Sequence, residues 1–240
     1  MSMSESTGSS TPEQTRRMVI RFLIREIMGV VILGVILFWS AGTMNWPMGW
    51  ALVAVTFAWA TATLLVSVKR HPDLLAERTG PRKGAKSTDT AIMGVVGLLI
   101  VARSVIAGLA VRYGWTQEMP LALQLAMLVT AVLGYALVVW ATASNPFFSQ
   151  IVRIQKERGH YVASTGPYRF IRHPAYVGSI LHELSAPIML GSWWALIPGV
   201  VVFLLFLVRT ALEDRTLQAE LDGYPEYSQQ VRYRLLPGIW

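Results

Sequence analysis

The sequence predicts an all-α integral membrane protein, a polytopic helical bundle with about six membrane segments. Of its 240 residues, 53% are hydrophobic and only 15% are charged, and the mean hydropathy of +0.45 is too apolar for an ordinary soluble domain. Apolar runs of about 17 to 24 residues match the ~20 residues with which a helix crosses ~30 Å of hydrocarbon. These runs occupy residues 27–44, 47–68, 91–112, 120–143, 174–190 and 193–212.

The apolar runs are too long, and alternate too little, for the strands of a membrane barrel, so helices are expected. The last two runs predict a short hairpin that turns at "GSWW", residues 191–194. Hydropathy alone leaves this hairpin either fully spanning or partly re-entrant. Residues 1–15 are small and polar and predict a disordered tail, and residues 16–26 predict an amphipathic entry to the first helix.

The distribution of lysine and arginine predicts the orientation. Basic residues concentrate before residue 27, in the loop 69–90 and in the connection 144–173, whereas the alternate connections contain tryptophans and no base. By the positive-inside rule, the basic segments and both termini are expected on the cytoplasmic side. The same rule accounts for the net charge of +7, since no basic helix or aromatic-interleaved strand of a nucleic-acid-binding protein is present in the sequence.

The absence of cysteine excludes disulfides, thiolate metal sites and cysteine nucleophiles. A metal site built from the other ligand types would need His160, His173, His182 and Glu183 to converge. Because these residues are spread from a loop to the middle of a helix, the sequence predicts no metal site.

The stretch "GPYRFIRHPAYVG", residues 166–178, combines a tight turn with a helix start. Pro174 suits the first position of a helix, which places His173 at the N-cap, where free N–H groups favour an anion. Arg172 adds positive charge, and the Gly166-Pro167 turn holds Tyr168 at the same mouth. The alternative is a basic juxtamembrane turn that contacts lipid headgroups.

Polar residues continue into the apolar run that follows. Tyr176 and Glu183 share one helix face, and His182 lies beside Glu183. Ionisable groups at this depth usually face a cavity or a partner. The sequence therefore leaves two alternatives for His182 and Glu183, a functional site or a buried tether to another helix, with Arg103 as its partner.

The last apolar run ends with Arg209, and Glu213 and Asp214 follow one turn later. This places a cation and two carboxylates at the level of His173, although an ordinary charged helix end has the same pattern. After Gly223 the chain alternates aromatic and basic residues, which predicts a segment that folds back over the mouth.

The ordered motifs "GPYRFIRHPAYVG", "ED", "GYPEY" and "RYRLLPGIW" resemble the integral-membrane methyltransferases of the isoprenylcysteine carboxyl methyltransferase and phospholipid methyltransferase group. The resemblance covers about residues 140–240. It implies methyl transfer from S-adenosylmethionine, with the cofactor site in residues 141–240. Residues 16–140 carry no family motif, and these membrane helices are expected to provide substrate access. The sequence has no G-x-G-x-x-G motif and no strand–helix alternation, which excludes a Rossmann methyltransferase.

The resemblance also implies roles for individual residues. The cofactor-binding set is His160, Tyr168, Arg172, His173, Tyr176, Glu213 and Asp214. Arg209 would orient an ionised acceptor, whereas an amine or hydroxyl acceptor would need Glu183 or His182 as a base. The chain departs from the family at Asp214, where a second glutamate is usual, and at His182-Glu183, where apolar residues are expected.

The expected function is methylation of a lipophilic, membrane-partitioned small acceptor, a carboxylate, thiol, amine or hydroxyl, at the cytoplasmic face. The protein is expected in the plasma membrane if it is prokaryotic, with no obligate protein partner and no nucleic acid. Two alternatives remain: an NADPH-dependent membrane reductase of the sterol-reductase type, and a non-enzymatic membrane scaffold.

Overall fold

A computed structural model describes residues 12–79, 84, 86–116 and 118–240. Eight α-helices follow in order: α1 Pro12–Ala41, α2 Pro47–Arg70, α3 Asp73–Thr79, α4 Ser87–Tyr113, α5 Leu121–Ser144, α6 Pro174–Met189, α7 Leu196–Glu220 and α8 Tyr224–Gln230. Two short 3₁₀ turns, Lys156–Arg158 and Gly166–Arg169, interrupt the connection from α5 to α6. The described residues contain no strand, which confirms the all-α class.

Five helices, α1, α2, α4, α5 and α7, are long and apolar enough to cross a membrane. The remaining predicted segment, residues 174–190, corresponds to α6, whose 16 residues extend only about 24 Å at ~1.5 Å per residue. The final hairpin is also asymmetric, because α7 has 25 residues and continues to Glu220 rather than ending at residue 212. The hairpin thus pairs one spanning helix with one short helix.

The first helix starts earlier than the sequence predicted. It begins at Pro12, a residue type favoured at the first helical position, and continues without interruption to Ala41. Residues 12–15 are therefore helical rather than part of a disordered tail, and residues 1–11 of that predicted tail lie outside the described residues. The predicted amphipathic entry, residues 16–26, is the first part of the same helix.

Glycines allow α6 to pack closely against its neighbours. A Cβ atom at Gly134 of α5 would lie 2.5 Å from the carbonyl oxygen of Gly178 in α6. A Cβ atom at Gly199 of α7 would lie 2.9 Å from the carbonyl oxygen of Glu183. Small residues permit this close approach of membrane helices, and they hold α6 between α5 and α7.

The described parts of the three basic segments lie at one end of the bundle, which we call the basic end and define by Arg25, His71 and Lys86. The His71 ring nitrogen Nε2 lies 3.1 Å from the carbonyl oxygen of Ala143, which joins the ends of α2 and α5. Lys86 Nζ donates to Glu220 Oε1 at 2.9 Å and joins α4 to α7. The guanidinium of Arg25 donates to the carbonyl of Arg78 and joins α1 to α3.

Candidate active site

A cavity of about 360 Å³ lies at the basic end, enclosed by α4, α5, α6, α7 and the connection between α5 and α6. Seven of the residues predicted to form the site line it: His160, Tyr168, Arg172, His173, Tyr176, Arg209 and Glu213. The other three predicted residues, His182, Glu183 and Asp214, are not in its lining. Trp59, Arg78 and Asp89 also line the cavity, so residues 16–140 contribute to the site directly.

Asp214 lies behind the cavity wall and binds side chains that form it. Its carboxylate is fully buried and accepts hydrogen bonds from Arg172 Nε at 2.8 Å, Tyr224 Oη at 2.9 Å and Arg234 Nε at 2.8 Å. The ring nitrogen Nε2 of His173 lies 3.2 Å from the same carboxylate. Asp214 therefore contacts residues that line the cavity without lining it, and its role in cofactor binding stays a prediction.

The C-terminal segment folds back over the start of α6, as the sequence predicted. The backbone N–H of Arg172 donates to the carbonyl of Tyr233 at 2.9 Å, and that of His173 donates to Arg234 at 3.0 Å. The guanidinium of Arg172 also donates to the carbonyl of Val231 at 2.9 Å. The N–H of His173 and most donors of the Arg172 side chain are therefore already hydrogen-bonded. These bonds hold the C-terminal segment against the start of α6 at the rim of the cavity.

Glu213 carries the carboxylate that faces the cavity from α7. Tyr176 Oη donates to its Oε2 at 2.5 Å, while the Tyr176 ring lies 5.8 Å from the ring of Phe206. The guanidinium carbon of Arg209 lies 5.5 Å from the centre of the Tyr176 ring. Tyr176 thus contacts both the Glu213 carboxylate and the Arg209 guanidinium on the same wall of the cavity.

Arg209 is held by an acid that sequence reasoning missed. Its Nε donates to Asp89 Oδ1 at 2.6 Å, and its Nη2 donates to Asp89 Oδ2 at 3.3 Å and to the carbonyl of Gln150 at 2.8 Å. The backbone N–H of Val152 donates to Asp89 Oδ2 at 3.0 Å. The signal in the sequence is an acid in the first turn of a membrane helix, next to a loop rich in lysine and arginine.

His160 is neutral at pH 7. Burial, and then the positive charges of Arg158 and Arg153, lower the pKa of His160 to about 4. Its ring stacks on Phe147 with a centroid distance of 4.4 Å, and its Nδ1 accepts the N–H of Gln155 at 3.2 Å. Because Nδ1 is the acceptor, Nε2 carries the ring proton and is the donor that a ligand could use.

Tyr168 presents a buried aromatic ring to the same cavity. Asn145 Nδ2 donates to its hydroxyl at 3.4 Å, and its backbone carbonyl accepts the hydroxyl of Tyr227 at 2.7 Å. Burial raises the pKa of Tyr168 above its usual range, so its hydroxyl stays protonated.

Glu183 and His182 form contacts between helices outside the cavity. Glu183 Oε2 accepts a hydrogen bond from Arg103 Nη1 at 2.5 Å, and both side chains are buried. The His182 ring stacks on Tyr135 with a centroid distance of 3.8 Å, and Tyr135 stacks on Trp59 at 4.8 Å. Of the two alternatives, the structure has the geometry of the tether, with Arg103 as the partner of Glu183.

Most of the residues that line the cavity lie in a part of the sequence that matches a known protein family. Residues 125–219 match the model of the isoprenylcysteine carboxyl methyltransferase family. We call residues 125–219 the family region. It includes all of α6 and most of α7, which carry His173, Tyr176, Arg209 and Glu213.

Three curated relatives match part of the chain, each at 30% identity. Protein-S-isoprenylcysteine O-methyltransferase of Schizosaccharomyces pombe aligns over 35% of this chain and 36% of its own length. Protein-S-isoprenylcysteine O-methyltransferase B of Arabidopsis thaliana aligns over 35% and 44%, and the lamin-B receptor of Drosophila melanogaster over 41% and 14%. The aligned region thus spans less than half of each relative.

The fold is similar to that of a solved member of the family. The structure of the eukaryotic intramembrane Ras methyltransferase, an isoprenylcysteine carboxyl methyltransferase, superposes with a TM-score of 0.52. The match has 20% sequence identity and covers 88% of this chain and 73% of the other. The two proteins share the membrane helical fold.

Proposed function

We propose that this protein is an integral-membrane methyltransferase that transfers the methyl group of S-adenosylmethionine to a lipophilic carboxylate. The observation that carries the proposal is the placement of Arg209 and Glu213 in one cavity. Both residues lie one turn apart on α7, in the family region. The distribution of basic residues supports a cytoplasmic position for this cavity, in the plasma membrane if the protein is prokaryotic.

The side chains of the cavity fit the cofactor. S-adenosylmethionine carries an ammonium and a sulfonium, and Glu213 offers carboxylate oxygens beside the rings of Tyr176 and Tyr168. Its carboxylate would lie near the α6 start, where Arg172 and His173 line the cavity. The volume of about 360 Å³ lies within the ~300–1,000 Å³ usual for small-molecule sites. When bound, the cofactor supplies a methyl group that its sulfonium charge has already activated.

The residues of the cavity then have to orient the acceptor and exclude water, because an ionised carboxylate needs no general base. Asp89 and the carbonyl of Gln150 fix Arg209 through two of its nitrogens. Among the described residues no acceptor pairs with its Nη1, which can donate to the acceptor carboxylate. Glu183, which would serve as base for an amine or hydroxyl, is paired with Arg103 outside the cavity.

The depth of the cavity supports a lipophilic acceptor. Trp59 of α2, Met93 of α4, Val138 of α5 and Phe206 of α7 line it, and all four lie in helices of membrane-spanning length. Two curated relatives are named for O-methylation of S-isoprenylcysteine, a carboxylate attached to an isoprenoid chain. An acceptor of that chemistry would place its carboxylate near the polar rim and its hydrocarbon among the spanning helices.

The decisive test is cofactor binding by the full chain in lipid nanodiscs. We expect S-adenosylhomocysteine to raise the Tm and NADPH to leave it unchanged. Membranes that contain the protein should transfer label from methyl-labelled S-adenosylmethionine to an S-prenylated cysteine but not to its carboxamide. Stabilisation by NADPH alone would identify a reductase, and binding of neither compound would support a scaffold.

A further inference from the structure

Arg78 is a buried cation in the cavity wall that forms no ion pair with a described carboxylate. Its side chain belongs to α3, is 8% exposed and lines the cavity, and its Nε has no hydrogen-bond partner among the described residues. Its guanidinium carbon lies 5.4 Å from the ring centre of Phe148. A buried charge without a partner is costly, so this arrangement calls for an anion from outside the described chain.

The other arginines in the lining are already paired. Arg209 is bound by Asp89, Arg172 by Asp214, and Arg153 by Glu77 and Glu157. Arg78 differs from them because it forms no ion pair with a described carboxylate.

The two acids close to Arg78, Glu77 and Glu26, form ion pairs with other arginines. Glu77, its neighbour in the chain, accepts hydrogen bonds from Arg153 at 2.9 and 2.6 Å and from Ser149 at 3.2 Å. Glu26 accepts the guanidinium of Arg25 at 2.7 Å. Burial, and then the charge of Arg25, lower the pKa of Arg78 to about 10, and it stays positively charged at pH 7.

We propose that Arg78 binds the carboxylate of the methyl acceptor and so selects anionic amphiphiles over neutral ones. This inference rests on the proposed methyltransferase function, and it names the group that recognises the acceptor charge. Arg209 contributes a hydrogen-bond donor that is already paired with Asp89, whereas Arg78 forms no ion pair with a described carboxylate. Trp59, which also lines the cavity from a spanning helix, lies on the path that the hydrocarbon of such an acceptor would take.

The change in the charge of the acceptor during the reaction predicts which kinetic constant depends on Arg78. The acceptor carboxylate is an anion before methyl transfer and becomes a neutral ester, so its attraction to Arg78 is greatest in the ground state. An interaction of this kind lowers KM and does little for kcat. Because Arg78 has no described partner, its removal should also relieve a buried charge in the free protein, and the Tm should be unchanged or higher.

The test compares Arg78→Met with the matched control Arg70→Met, which changes an exposed arginine at the end of α2. The probes are an S-prenylated N-acetylcysteine and its carboxamide, with the full-length protein in nanodiscs. For Arg78→Met we expect the acceptor KM and the Kd of the carboxylate probe to rise roughly 10-fold to 100-fold. S-adenosylhomocysteine affinity, carboxamide affinity and Tm should stay at the wild-type level or above, and Arg78→Lys should recover part of the carboxylate affinity.

Three outcomes would overturn the assignment of Arg78: an unchanged KM and Kd, an equal loss of carboxylate and carboxamide binding, or a lowered Tm with weaker cofactor binding. Failure of the proposed function is distinct, because the wild-type protein would then neither bind S-adenosylhomocysteine nor yield methylated product. Arg78-dependent binding of the carboxylate probe in such a protein would still support the anion site.

Discussion

Asp89 in the first turn of α4 and Arg209 in α7 form a two-point ion pair, with N–O distances of 2.6 and 3.3 Å across 120 positions of sequence. Both side chains are buried, and the pair ties the N-terminal half of the bundle to the family region. It also orients the guanidinium of Arg209, which we propose donates to the carboxylate of the methyl acceptor.

Asp89→Asn should lower turnover through Arg209. The amide keeps the shape of the side chain but removes the charge that fixes the guanidinium, and a displacement of about 1 Å at a reacting centre can cost ~100-fold. We expect kcat to fall by that order while S-adenosylhomocysteine affinity changes little. Asp222→Asn, at an exposed acid beyond α7, is the control and should have wild-type kinetics. Unchanged kcat in Asp89→Asn would contradict this role.

Glu213→Gln should weaken cofactor binding and leave the fold intact. The variant keeps an acceptor for the Tyr176 hydroxyl but loses the negative charge in the cavity. Calorimetric titration should show S-adenosylhomocysteine binding reduced by about 10-fold or more, as for the loss of one charged hydrogen bond. The exposed Glu226→Gln serves as the matched control. Equal affinity in both variants would remove Glu213 from the cofactor site.

Asp214→Asn should act on stability first. Its carboxylate balances Arg172 and Arg234 inside the protein, and loss of one partner of a buried ion pair costs roughly 3–5 kcal/mol. Thermal unfolding should show a clear drop in Tm, and hydrogen exchange should become faster in residues 231–240. Tyr224→Phe removes one neutral donor from the same carboxylate and should cost only about 1 kcal/mol. A Tm of Asp214→Asn equal to that of wild type would refute this organising role.

The tether between Arg103 and Glu183 can be separated from catalysis by a double variant. Glu183→Gln alone leaves Arg103 buried without its partner charge and should destabilise the protein by roughly 3 kcal/mol or more. Arg103→Met combined with Glu183→Leu removes both charges and should restore most of the Tm together with activity on a carboxylate acceptor. A stable double variant without activity would instead identify Glu183 as a catalytic group.

His160 should make stability depend on pH in the acidic range. Its folded pKa of about 4 lies below the ordinary value of 6.5, so the unfolded chain binds more protons between these two values. Stability should therefore decrease as the pH falls from about 6.5 to 4, and should be insensitive to this group above pH 7. His160→Asn keeps an acceptor for the Gln155 N–H but does not titrate, so its Tm should fall less over this range. Parallel Tm curves for the two proteins would show that His160 does not titrate in this way.

The family motifs contain most of the cavity residues that the sequence predicted. Pro174 and Gly166 fixed the local geometry of "GPYRFIRHPAYVG", and helical spacing placed Arg209 and Glu213 on one wall. The same spacing could not distinguish Glu213 from Asp214. Adjacent helical residues differ by about 100° in direction, and only the packing of neighbouring elements decides which one faces the cavity.

The sequence by itself determined the membrane class, five helices of spanning length and the basic end, because hydrocarbon thickness and loop charge act on local composition. Only the tertiary structure decided which charges are balanced. Asp89 pairs with Arg209, Arg103 pairs with Glu183, and Arg78 faces the cavity without a described carboxylate. Ion pairing and burial depend on distances between helices that are far apart in sequence, and no local pattern of residues encodes those distances.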